Sequence, residues 1–365
     1  MDITKFLQLM VTEEASDIFF SSHASISMKV MGKLRPVSKQ ALSSGQIESI
    51  LKKLVDDEQW QEFHDNLELN FAISVEDVGR FRANAFRQRG DIALVIRHIK
   101  TEIPRVEDMN LPSTLKDLVA HKNGLIMVVG ATGSGKSTTL AAMLGHRNSN
   151  IGGHILTIED PVEFIHSHKK SIVNQREVGL DTLSYHNALK NAMREAPDVI
   201  LIGEVRDSET MEHAMAYADT GHLCLTTLHA SNAIQSLDRI FNFFPKNAHR
   251  QLSEDLSRNL RAIVSQRLIP GKDGNLYPAV EILINTPYVT EILQQSKMEK
   301  LPEAMEQGSK YGMATFDDVL YKMYKSGTID VQTALEYADS YNNLQLKIRM
   351  SDGSAGDNVF SDIEF

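Results

Sequence analysis

The segment Gly130-Ala131-Thr132-Gly133-Ser134-Gly135-Lys136-Ser137 has the residue types and spacing of a loop that cradles phosphate groups. Its glycines let backbone N–H groups turn inward, and Lys136 brings a point charge toward the β- and γ-phosphates of a nucleotide. Ser137 offers a hydroxyl to Mg²⁺. Thr132, Gly133, Ser134, Gly135 and Thr138 complete the candidate binding set with Gly130, Lys136 and Ser137. The apolar run Leu125–Val129 before the loop and the helical pattern after it supply the strand-to-helix context that such a motif needs. The helix would present its positive dipole end to the phosphates. Alone, the motif implies only that ATP or GTP binds at Lys136.

Three further segments carry chemistry. Pro197–Ile202 is an apolar strand that ends in Gly203-Glu204, and a carboxylate at such a tip can polarise an attacking water. Glu204 is the candidate catalytic base. Thr157-Ile158-Glu159-Asp160-Pro161-Val162-Glu163 places three carboxylates in five positions. They repel one another unless a divalent cation or a neighbour's arginines intervene. Glu159 and Asp160 are therefore candidate Mg²⁺ ligands with Ser137, and Glu163 is a second candidate catalytic carboxylate. In Thr220–Ala230, His229 stands just past an apolar run, where it could donate a hydrogen bond to a γ-phosphate. It shares a strand face with Thr227 if the strand continues that far.

The elements that position these residues are legible in outline. Short apolar runs at 125–129, 155–158, 199–202 and 222–228 read as strands buried on both faces of a parallel sheet. Helical patterns at Ser137–Arg147, Ser184–Glu195 and Ser208–Asp219 lie between them, which makes βαβ units. Residues 1–100 differ. A helix at Thr4–Glu14, a strand from Asp17, a strand pair at Ser27–Val30 and Gly32–Pro36, and an amphipathic helix at Ser44–Phe63 lead to three strands at Leu69–Val75, Gly79–Arg87 and Ile92–Ile99. That is an α+β module. Residues 101–112, with prolines at 104 and 112, read as a linker, and 113–350 as the α/β domain with a mostly helical end after Pro287. The last fifteen residues hold four acidic and no basic side chains. They read as a disordered tail from Ser351.

Composition narrows the function classes. The 365 residues suffice for two or three domains, and 42% hydrophobic with 24% charged residues is ordinary for a globular chain. A net charge of −10 disfavours general nucleic-acid binding. Cys224, the single cysteine, excludes internal disulfides and cysteine-rich zinc modules, and its apolar setting reads as a buried core thiol. No run reaches the roughly 18 apolar residues of a membrane span, and Met1–Lys5 lacks a signal-peptide pattern. The expectation is a cytoplasmic protein whose membrane connection comes through a partner.

The four motifs, in this order, resemble the secretion ATPase superfamily of type II and type IV secretion and type IV pili, matching its Walker A, aspartate box, Walker B and histidine box. Within it the chain most resembles the PilT/PilU pilus retraction ATPases, over about residues 1–350. The resemblance implies a PAS-like N-terminal domain, a RecA-like domain, and a homohexamer with ATP and Mg²⁺ between subunits. It also implies arginine fingers on the N-terminal domain. Arg82 in Gly79–Asn84 and Arg97 in Ala93–Arg97 match by spacing, with Arg80, Arg87 and Arg89 nearby. A guanidinium fork suits a phosphoryl transition state whose charge spreads over three oxygens.

The lack of paired CxxC motifs separates the chain from extension-type members. Val289–Ser296 lacks the arginines that PilT-like chains carry, and Gly312–Asp318 and Ala338–Leu344 look more like the PilU branch. That branch implies an accessory motor acting with the PilT ATPase on an inner-membrane platform protein at the pilus base. Two other readings stay open on the sequence: an assembly or secretion motor of the same superfamily, and a nucleic-acid translocase on the same core. A third, a ring subunit that binds ATP without hydrolysing it, is disfavoured by the intact motif set.

Overall fold

A computed structural model describes residues 3–30, 32–99 and 102–352. The chain forms two compact units. The first holds Met1–Ile103 together with Asp160–His166 and Arg176–Ser184; the second holds Pro104–Glu159, Ser167–Gln175 and Tyr185–Phe365.

In the first unit the elements run α1 (Thr4–Thr12), β1 (Asp17–Phe20), β2 (Ser25–Val30), β3 (Lys33–Ala41), α2 (Ser44–Leu54), α3 (Asp57–Asn66), β4 (Glu68–Val75), β5 (Gly79–Gln88) and β6 (Asp91–Ile99). The sheet order is β3-β2-β1-β6-β5-β4, with every described pairing antiparallel. Strand alternation sorts β5 into an apolar face of Phe81, Ala83 and Ala85 and an opposite face carrying Arg80, Arg82 and Asn84. The apolar face packs on Leu7, Met10, Ile47, Leu51 and Phe63 from the helices. This is the expected PAS-like α+β module, with one correction. The single helix expected over Ser44–Phe63 is two helices, broken at Val55-Asp56. Asp56 accepts a hydrogen bond from the Gln59 N–H at 2.8 Å, while its own N–H donates to the Gln59 side chain at 3.2 Å. That capping box starts a new helix although the apolar rhythm is continuous.

The second unit runs α4 (Thr114–Val119), β7 (Gly124–Val129), α5 (Lys136–Asn150), β8 (Gly153–Glu159), β9 (Ser171–Glu177), α6 (Tyr185–Ala192), β10 (Val199–Ile202), α7 (Ser208–Asp219), β11 (Leu223–Leu228), α8 (Ala233–Phe243), α9 (His249–Asn259), β12 (Leu260–Pro270), β13 (Leu276–Ile284), α10 (Pro287–Gln294), α11 (Leu301–Gln307), α12 (Phe316–Lys325), α13 (Val331–Glu336) and α14 (Tyr341–Asp352). The last two residues of β9 fall in the first unit. The seven-stranded order is β13-β12-β7-β11-β10-β8-β9. Strands β12, β7, β11, β10 and β8 are parallel in register, and β13 closes the edge antiparallel to β12. This is the RecA-like α/β architecture. Every residue of β7, β10 and β11 is buried, as a parallel sheet covered on both faces requires. Cys224 sits in β11 with no exposed surface.

Several features went unread in the sequence, strand β9 and helices α8 and α9 among them. The hairpin β12–β13 extends the sheet where no strand was expected, and Ser351 and Asp352 belong to α14 rather than to a tail. The rest of the expected tail, 353–365, lies outside the described residues, as do Lys100 at the end of the expected N-terminal domain and Thr101 at the start of the expected linker. Among the described residues no helix is long and apolar enough to cross a membrane.

Candidate active site

Parallel register brings the carboxyl ends of β7, β8, β10 and β11 to one rim, and the candidate residues sit in the turns just beyond them. Strand β7 lies between β11 and β12, neither of them its neighbour in sequence. Such a switch in strand order leaves a crevice at the carboxyl ends, the usual ligand position in open α/β sheets.

The loop after β7 is shaped as a cradle. At Gly130, φ is +157°, and a Cβ would lie 2.4 Å from the Ser134 Oγ and 2.5 Å from the Gln266 carbonyl oxygen. No side chain fits there. Lys136 Nζ donates to the Gly130 and Ala131 carbonyls, both at 2.9 Å. The Ser134 hydroxyl is buried with no hydrogen-bond partner, while Ala131, Thr132 and Gly133 are exposed and Ser137 and Thr138 half-buried. A buried orphan hydroxyl and an ammonium held by loop carbonyls are groups that a nucleotide's phosphates would satisfy. The residues therefore fit a bound nucleotide, and Ser137, at the first turn of α5, fits a Mg²⁺ ligand.

Glu204 follows β10 by two residues and is mostly buried. Its Oε1 lies 3.1 Å from His229 Nε2, and its Oε2 accepts from Arg206 Nε at 2.7 Å. Strand β11 ends at Leu228, so His229 stands just outside it rather than sharing its face with Thr227. Thr227 acts elsewhere, through two hydrogen bonds. Its hydroxyl donates to the Gly203 carbonyl at 2.6 Å, and the Val205 N–H donates to its carbonyl at 2.9 Å. These bonds clamp the backbone on both sides of Glu204.

Glu159 ends β8, the strand beside β10. Its Oε1 accepts from the Thr157 hydroxyl at 2.6 Å and from Gln175 Nε2 at 3.4 Å. Asp160 follows, joined to Pro161 by a cis peptide bond. It falls in the first unit with Glu163, which is exposed. Among the described residues the one three-member grouping of His, Cys, Asp or Glu with metal-ligand spacing is His186, Glu209 and His213.

Arg82 and Arg97 are directly opposed on β5 and β6. Arg82 Nε lies 3.6 Å from Glu177 Oε1, and Arg97 Nε donates to Asp17 Oδ1 at 2.8 Å. Glu177 is buried, and desolvation raises its carboxyl above the ordinary glutamate range. The Val162 N–H and the Arg82 and Arg80 guanidinium groups oppose that rise.

Comparison with known proteins shows what the whole chain is similar to. A family model described as "Type II/IV secretion system protein" matches residues 1–312. The chain is 49% identical over 362 residues to the type IV pilus ATPase PilU of Pseudomonas aeruginosa, covering 99% of this chain and 95% of that one. It is 38% identical over 338 residues to PilT of the same organism, described as a type IV pilus retraction ATPase, covering 93% and 98%. A crystal structure of the pilus retraction motor PilT with bound ADP superposes with a TM-score of 0.88 at 38% identity, covering 95% of this chain and 99% of that one. The chain belongs to the type II/IV secretion system protein family.

Membership, with the near-full-length likeness to PilU and PilT, makes it an ATPase of the type IV pilus class. Several supporting residues escaped the sequence reading. Gln266 on β12 touches the cradle through its carbonyl near Gly130, and its side chain accepts from the Thr139 hydroxyl at 2.6 Å. No local pattern links positions so far apart, and β12 itself was not foreseen. Arg206, two residues past Glu204, was legible: a basic side chain beside a candidate base is a local signal.

Proposed function

We propose that this chain is a motor of type IV pilus retraction, a homohexameric ATPase using ATP and Mg²⁺ and working as an accessory to the PilT ATPase. The observation that carries the ATPase reading is the Glu204 carboxylate held between His229 and Arg206 on the rim that also bears the phosphate cradle. The pilus assignment rests on near-full-length similarity to PilU and PilT, and the accessory role on the higher identity to PilU. Residues 1–100, 101–112 and 113–350 serve in this reading as N-terminal domain, linker and motor domain, with the protein at the cytoplasmic side of the pilus base beside an inner-membrane platform protein.

The roles follow from placement. Lys136 and the loop N–H groups bind the phosphates, and Ser137 with Glu159 and Asp160 is the candidate Mg²⁺ set. When bound, the cation neutralises phosphate charge as the bond to the leaving oxygen breaks. Glu204 accepts the proton of the attacking water. His229, on the same carboxylate, is placed to report on the γ-phosphate, and Glu163 remains a candidate second carboxylate. Arg82 and Arg97 are the candidates for completing a neighbouring subunit's site, which requires each to exchange its present carboxylate partner for phosphate oxygens.

The first test is Glu204→Gln, with folding and oligomer size checked. The expected outcome is a loss of ATP hydrolysis of about 10²–10⁴-fold with nucleotide binding retained; hydrolysis at the wild-type rate sinks the catalytic reading. The second is deletion of the gene with PilT present or absent. Retained or excess surface pili with lost twitching supports retraction, whereas loss of pili supports assembly. Retraction by this chain without PilT overturns the accessory role.

A further inference from the structure

Outside the nucleotide rim, the second unit carries a cluster that the proposed ATPase cycle does not use. His186 lies in the first turn of α6, and Glu209 and His213 are four residues apart on α7. That spacing puts the two α7 side chains on one helix face. One nitrogen or oxygen from each of the three residues falls within 4.8 Å of the others. His186 Nδ1 is already in contact with Glu209 Oε1.

We propose that His186, Glu209 and His213 form a binding site for a borderline divalent cation of the Zn²⁺ type, one per chain, bridging α6 to α7. Two imidazoles and one carboxylate match the donor set of three-ligand zinc sites, which keep a fourth position for water. Bond lengths near 2.1 Å place tetrahedral ligand atoms about 3.4 Å apart. Side-chain rotation alone can close the present spacing, because His186 and Glu209 are at least half exposed and little packing opposes their movement. Mg²⁺ is a poor competitor, since it takes oxygen ligands in octahedral array.

The surrounding structure prepares the site. The His213 ring stacks on Tyr217, at 6.1 Å between centroids, and the Tyr217 hydroxyl donates to the Leu189 carbonyl. The two helices are thus already tied together one turn further along. The cation would add a second tie at the end nearer the catalytic loop. Tyr185, next to His186, packs so closely on the backbone that a Cβ at Gly203 would lie 2.8 Å from its hydroxyl. Helix α7 itself begins four residues after Glu204. Occupancy would therefore stiffen the frame on which Glu204 is mounted.

The test uses the full chain, stripped with chelator and titrated with Zn²⁺ by calorimetry, with Mg²⁺ present and nucleotide absent. Expected are one equivalent bound, a loss of affinity of at least about tenfold in His213→Ala and in His186→Ala, and no change in His64→Ala, an exposed histidine of the other unit. Co²⁺ should give the intense visible absorption of a tetrahedral site, absent in His213→Ala. Circular dichroism, and ATPase activity with excess Mg²⁺ and a zinc-selective chelator, both expected unchanged in His213→Ala, separate loss of ligand from loss of fold. Failure of wild-type protein to bind one equivalent, or equal binding by the histidine variants, overturns the site. Neither result bears on the catalytic role of Glu204, which is read without Zn²⁺.

Discussion

Glu204 is the residue on which the proposed chemistry turns, and its two partners have separable effects. Arg206 holds one oxygen and His229 the other, so Arg206→Ala should leave the carboxylate present but less well aimed. The expected result is a fall in kcat of up to about 100-fold with a smaller change in KM, measured by steady-state ATPase kinetics. The cradle is more brittle. With the Gln266 carbonyl 2.5 Å from where a Cβ would stand, Gly130→Ala must displace backbone. It should abolish nucleotide binding in a fluorescent-nucleotide titration while leaving the first unit intact. Gln266→Ala leaves the fully buried Thr139 hydroxyl without its acceptor. Calorimetric unfolding should show a cost of about 1–3 kcal/mol, because an unsatisfied buried polar group loses its water without replacement.

At the scale of elements, the break between α2 and α3 depends on one side chain. Asp56→Ala removes the acceptor for the Gln59 N–H, with an expected cost of about 1 kcal/mol in chemical denaturation. The same break marks where sequence reading stopped working. Apolar spacing runs on through Ser44–Phe63, and only the Asp56–Gln59 box signals that the chain turns. By contrast β7, β10 and β11 were legible because unbroken apolar runs have few alternatives once βαβ alternation is recognised. Hairpin β12–β13 was not. It is a mixed stretch with Arg267, Gln266 and Glu281 inside it, and the last two are tolerated because Thr139, Ser265 and the Ala233 N–H partner them across the fold. The cradle and Glu204 were therefore readable from local motifs. The tertiary partners Gln266 and Glu177 were not, since no local spacing encodes a contact made across a sheet.

For the whole molecule, pH and assembly give two measurable consequences. Burial raises the Glu281 carboxyl to about 7, against the hydrogen bonds from the Ala233 N–H and the Ser265 hydroxyl; Asp339 adds to the rise and Arg267 opposes it. An unfolded glutamate ionises near 4.3. Between that pH and about 7 the native chain holds more protons than the unfolded one, so stability falls as pH rises. Denaturation across this window should show a loss on the order of 3 kcal/mol at most, and Glu281→Gln, which keeps the acceptor oxygen, should flatten it. Assembly is tested by mixing. If Arg97 serves a neighbour's site within a closed ring, Arg97→Ala and Glu204→Gln proteins, each inactive alone, should regain ATPase activity when co-assembled. No recovery would place both residues in one subunit's site or exclude the arginine.

Cys224, the only thiol in the chain, lies fully buried in the central strand β11, where burial also drives its ionisation far up. Wild-type protein is for that reason a ready background for site-specific probes. A cysteine introduced on the surface should take a maleimide dye while the native thiol stays silent, so subunit motions can be followed by fluorescence without first removing Cys224. Appearance of a second labelled site would then report that the RecA-like sheet has opened.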